Sequence, residues 1–60
     1  MRPLLTPAEA AEVLGVPPRT LADWRHRGTG PPWLRVGRHA RYPADDFDAW
    51  VASGVEQAAG

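Results

Sequence analysis

Six arginines stand between positions 19 and 42: Arg19, Arg25, Arg27, Arg35, Arg38 and Arg41. A guanidinium is a planar fork of donors that bonds in pairs to phosphate oxygens or to the O6 and N7 edge of guanine. Asp23 is the only acid in that stretch, and both histidines, His26 and His39, fall inside it, so the segment carries a net +5. Residues 1–18, with Arg2 against Glu9 and Glu12, carry −1; residues 43–60, with Asp45, Asp46, Asp48 and Glu56, carry −4. The formal net charge of zero therefore conceals a basic middle between acidic ends. On the total alone a polyanionic partner would look unsuitable; on the distribution it does not. All seven basic residues are arginine, a bias that a GC-rich genome would also produce.

Other chemistries find little support. The absence of cysteine excludes disulfides and thiolate zinc sites. There is no lysine, and the single serine, Ser53, has no histidine near it in sequence to activate it. Gly28-x-Gly30 follows a helical pattern and meets Trp33 where a nucleotide fingerprint would place a third glycine. His26 and His39 are too few and too far apart for a metal site. Asp45, Asp46 and Asp48 suit a helix N-terminus better than acid-base work. The expectation is a non-enzyme with no catalytic residue, metal or cofactor. No apolar run nears the ~20 residues of a membrane span, and Met1-Arg2-Pro3-Leu4-Leu5 lacks a signal-peptide core, so the expected location is the cytoplasm, with the nucleoid.

The elements that must position the arginines are marked by punctuation. Thr6-Pro7-Ala8-Glu9 combines an N-cap, a proline at the first helical position and a glutamate at the third, predicting a helix over Pro7 to Leu14 that Gly15 ends. Pro17-Pro18 restarts the chain into a second helix extending to about Arg27, closed by Gly28. Leu21 and Trp24 mark its core face; Arg19, Asp23 and Arg27, four apart, mark another. Gly28-Thr29-Gly30-Pro31-Pro32 is a loop. Trp33 to Val36 and Ala40 to Tyr42 read as a two-stranded hairpin through Gly37-Arg38-His39, with a basic tip. Phe47, Trp50 and Val51 then repeat at helical spacing, predicting a third helix from about Ala44 to Ser53. The reading is one domain, mainly α with a small β-hairpin, ordered over about residues 4–53, with a frayed tail over 54–60. Trp24, Tyr42, Phe47 and Trp50 are assigned to the core; Trp33 packs under the hairpin or presents a partly exposed ring.

The tight turn between the first two helices is that of a helix-turn-helix: Ala11 permits a close crossing, Leu14 and Val16 bracket Gly15, and Leu21 and Trp24 plug the angle. Leu5-Thr6-Pro7-Ala8-Glu9-Ala10-Ala11, Leu14-Gly15-Val16, Thr20-Leu21-x-x-Trp24-Arg25, Gly30-Pro31-Pro32, Val36-Gly37-Arg38, Arg41-Tyr42 and Phe47-x-x-Trp50 carry a resemblance over residues 4–52. The chain resembles the small excisionase-type, MerR-like winged helix-turn-helix DNA-binding domains. Such proteins are recombination directionality factors of phages and integrative plasmids, or small transcriptional regulators. The resemblance implies a winged helix-turn-helix, with helix-turn-helix, two-stranded wing and third helix, whose second helix enters the major groove and whose wing meets the minor groove or backbone. Pro17 departs from the polar N-cap usual in the family, which removes one side-chain contact to phosphate.

Candidate DNA-binding residues are then Pro18, Arg19, Thr20, Asp23, Arg25 and Arg27 on the helix, and Arg35, Arg38, His39 and Arg41 on the wing. Arg19 would fork onto a guanine, and Asp23 would accept from a cytosine amino group or else pair with Arg19 and Arg27 on the surface. Arg25 and Arg27 suit both a helix C-terminus and phosphate contact. Arg38, at the wing tip, is the candidate for minor-groove insertion. The implied partners are double-stranded DNA, an integrase or recombinase, and further copies of the chain binding cooperatively. The competing expectations are a small regulator of plasmid or prophage genes and, in another class, a protein-interaction adaptor using the acidic third helix.

Overall fold

A computed structural model describes residues 4–59, with side chains to residue 54; Met1 to Pro3, within the start of the chain read above, and Gly60, in the expected tail, lie outside the described residues. The order is β1 (Leu4–Leu5), α1 (Pro7–Leu14), α2 (Pro18–Arg27), β2 (Leu34–Val36), β3 (His39–Pro43) and α3 (Ala44–Ala59). This is the winged helix-turn-helix that the family resemblance implied, with the three helices and hairpin that the residue pattern predicted.

The first helix begins as its sequence demands. Glu9 N–H donates to the Thr6 hydroxyl oxygen at 3.1 Å, and Thr6 N–H donates to Glu9 Oε1 at 2.9 Å. This reciprocal box satisfies two helix-end donors, an arrangement worth about 1 kcal/mol at the cap. At the other end Gly15 takes a left-handed φ of 72°, open to a residue without Cβ. Its N–H reaches Ala11 O at 2.8 Å and Val16 N–H returns to the same carbonyl at 3.1 Å, so the chain turns sharply and starts α2 at Pro18.

The sheet has one more strand than the sequence indicated. β1 pairs antiparallel with β3, Leu4 opposite Pro43 and Leu5 opposite Tyr42, giving the order β1-β3-β2. Within the wing, Leu34 faces Arg41, Arg35 faces Ala40 and Val36 faces His39, leaving Gly37 and Arg38 as the two loop residues. Gly37 has φ 62° while Arg38 does not have a positive φ. A positive φ at the first loop position alone matches the II′ hairpin turn, in which glycine stands there.

The core is small. Ala10, Ala11, Leu21, Tyr42, Ala44 and Phe47 are buried, with Leu5, Leu14, Val16, Trp24, Trp33 and Val51 packed partly exposed against them. Tyr42 and Phe47 meet edge to face at 6.1 Å. Of the expected core residues, Trp24 packs against the core while remaining partly exposed, and Trp50, also partly exposed, is the one corrected, since it does not join that cluster; their rings lie 6.2 Å apart and tilted by 50°. A domain of this size lacks the depth to enclose two further indoles. Trp33 is half-buried and packs against the core.

The third helix also differs from its expected extent. It continues past Ser53 through Gly54 to Ala59. Gly54 does not take the left-handed conformation of Gly15, the Ser53 hydroxyl bonds back to the carbonyl of Ala49 at 3.1 Å, and the following Glu-Gln-Ala-Ala are good helix formers.

Candidate nucleic-acid interface

α2 and the wing carry the arginines in different ways. One face of α2 is occupied by Leu21, buried, and by Trp24 and Arg25, half-buried. At 100° per residue the opposite face presents Arg19, Ala22, Asp23, His26 and Arg27, all exposed. Pro18 is exposed at the first position of the helix, and Pro17 caps it without any side-chain hydrogen bond. Thr20 is half-buried, with its N–H donating to the Pro17 carbonyl at 2.9 Å. Because Pro17 and Pro18 have no N–H, the first backbone donor at this helix end is that of Arg19.

The charged side chains separate into committed and uncommitted groups. Asp23 Oδ2 lies 3.1 Å from Arg27 Nε, an exposed pair one helical turn apart and of the kind worth a few tenths of a kcal/mol. Among the described residues, the Arg19 and Arg38 side chains meet no hydrogen-bond, ion-pair or ring partner. Both are exposed, one in the first turn of α2 and the other in the wing turn.

Arg25 behaves otherwise. Its Nη1 donates to the buried Tyr42 hydroxyl at 2.8 Å, and its guanidinium lies 5.7 Å from the Trp33 ring centroid and 5.9 Å from that of Tyr42. Arg35, from β2, comes within 5.5 Å of the same indole. Arg25, Trp33, Arg35 and Tyr42 thus form one cluster joining α2 to both wing strands.

The pairing register sorts the rest of the wing. Residues opposite one another share a face, so Arg41 and His39 lie beside Leu34 and Val36 on the outer face, while Arg35, Ala40 and Tyr42 lie on the inner one. Leu34 and Val36 are exposed at 42% and 46%, so the outer face mixes apolar and basic groups. His39 is exposed; Arg41 is half-buried and donates to the Ala40 carbonyl at 2.7 Å.

Reading the sequence alone missed His26 and Ala22 as members of the exposed α2 face. The signal was present: they stand seven and three residues from Arg19, on its side of the helix. Among the described residues no group of His, Asp and Glu is placed to hold a metal ion, and no helix is long and apolar enough to cross a membrane.

A model of the helix-turn-helix domain family matches residues 4–55 of the chain, which spans every element from β1 to most of α3. No curated protein and no solved structure matches it.

Proposed function

The chain belongs to the helix-turn-helix domain family, and from that premise we propose that it reads a specific sequence of double-stranded DNA, α2 lying in the major groove and the wing on the minor groove or backbone. The family supports DNA binding at a coarse level; the finer assignment rests on the two uncommitted guanidiniums. Arg19 and Arg38 are exposed and meet no partner among the described residues, although the chain as a whole has equal numbers of acids and bases. Arg19, together with Asp23, addresses base edges; Pro18 and Thr20 border that face; Arg27 and the wing residues Arg35, Arg38, His39 and Arg41 address the backbone or the minor groove.

Within DNA binding, the reading taken is that of an excisionase-type factor of the cytoplasm and nucleoid, which binds repeated sites cooperatively, bends attachment-site DNA and steers an integrase toward excision. Its support is the run of motifs from Leu5 to Trp50 and the acidic start of α3, at Asp45 and Asp46, as a surface for a protein partner. The test has two parts. A duplex site selected from random sequence, moved along a fragment of fixed length, should show position-dependent gel mobility, the mark of a bend. Added to a phage-type integrase acting on attachment sites that contain the selected sequence, the protein should raise excision and lower integration. Binding without bending, and no change in recombination, would instead identify a regulator; failure to bind duplex even at low salt would leave the adaptor reading.

A further inference from the structure

We propose that Arg25 is a positioning residue: it is the strut that fixes the angle between α2 and the wing, so that the two can meet one DNA site together. The inference rests on the DNA-binding reading above and assigns Arg25 a task beneath the interface. Three observations carry it. Arg25 is half-buried in the last turn of α2, while Arg27, two positions on, is exposed. Its Nη1 has a directional partner, the hydroxyl of Tyr42, whose ring is fully buried in β3. Its guanidinium also lies against Trp33, which precedes β2 and is approached by Arg35 as well. One side chain therefore touches the strand that pairs with both others and the residue that leads into the wing.

The physics makes this an angular constraint more than a source of adhesion. A planar guanidinium that donates to a hydroxyl and also lies within cation–π range of an aromatic ring is fixed in direction as well as position, which an ammonium on a flexible stem cannot reproduce. The hydroxyl is the only polar atom of the Tyr42 side chain, and in Arg25 it meets a charged donor, the stronger class of hydrogen bond. The other links between wing and helix are the apolar core beneath them and the 28–33 loop, where Pro31 is buried and Gly30 lies close against Trp24; neither places a directional polar bond between α2 and β3. If the angle drifts, the helix contacts survive and the wing contacts are lost.

The experiment measures duplex affinity across a salt series for wild type, Tyr42→Phe, Arg25→Lys, Arg38→Ala and the Tyr42→Phe/Arg38→Ala pair, with folding checked by circular dichroism. Tyr42→Phe removes no charge and keeps the buried ring. It should nonetheless weaken binding about tenfold and make the dependence of log K on log salt shallower, because phosphate contacts of the wing are lost. In the Arg38→Ala background the same change should cost only about twofold, a coupling that a purely structural role would not show. Arg25→Lys, which retains the charge, should behave like Tyr42→Phe, and it serves in its place if the phenylalanine variant fails to fold. If wild type binds DNA and both variants bind with its affinity and salt slope, the strut is wrong and Arg25 is a plain phosphate contact or a bystander. If the losses simply add to that of Arg38→Ala, it is also wrong. If wild type itself does not bind duplex, the reading beneath it fails instead.

Discussion

At the scale of single residues, the division of labour between Arg19 and Arg38 gives the sharpest expectation. On the proposed reading Arg19 addresses base edges, so Arg19→Ala should flatten the ranking of sites in a selection experiment, costing about 1–3 kcal/mol at the preferred sequence and little elsewhere. Arg38→Ala should weaken most sequences alike and reduce the salt slope by about one. The same response from both variants would refute the assignment. Spacing placed both residues at exposed positions, one early in a helix and one in a hairpin turn, and the structure has them exposed there because their surroundings are local. It was not enough for Arg25, whose partner Tyr42 lies 17 residues away and is brought to it only by the folding of β3 against α2. Nor could spacing decide between the two partners open to Asp23; the rotamers select Arg27.

Among the elements, helix starts were legible and one helix end was not. Thr6, Pro7, Pro18, Gly15 and Gly28 act through bonds to near neighbours, so a sequence rule reaches them. Gly54 looks like the same stop signal but lies inside α3, where its backbone freedom in the unfolded chain weakens the helix. A methyl group built there would sit 3.5 Å from the nearest Trp50 ring atom, in ordinary contact. Gly54→Ala should therefore stabilise the fold by about 0.5–1 kcal/mol and raise the thermal midpoint by about 4 °C; a lowered midpoint would contradict a helix continuing through this position. β1 was not legible for the opposite reason. Two leucines have no period, and only pairing with β3 identifies Leu4–Leu5 as strand.

For the whole molecule, the zero net charge predicts modest long-range attraction with strong local contact. With Arg27, Arg35, Arg38 and Arg41 on phosphates, the slope of log K against log salt should be about −4; a flat dependence measured on a fluorescent duplex would exclude phosphate contact by these residues. The overall architecture was readable because each element is short and its turns are explicit. The partial exposure of Trp24 and Trp50 was not, since burial depends on how much volume sixty residues can enclose. The strand order β1-β3-β2 has a last implication, for solubility. Both outer strands present free backbone donors and acceptors, the kind of rim onto which another chain can add as an extra strand. Here one rim is two residues long and the other three, the longer preceded by Pro31-Pro32, followed by a tight turn and carrying a guanidinium at its centre. Among the described residues, rims this short offer little template for an added strand, which limits edge-to-edge pairing even though Leu34 and Val36 are exposed on one of them.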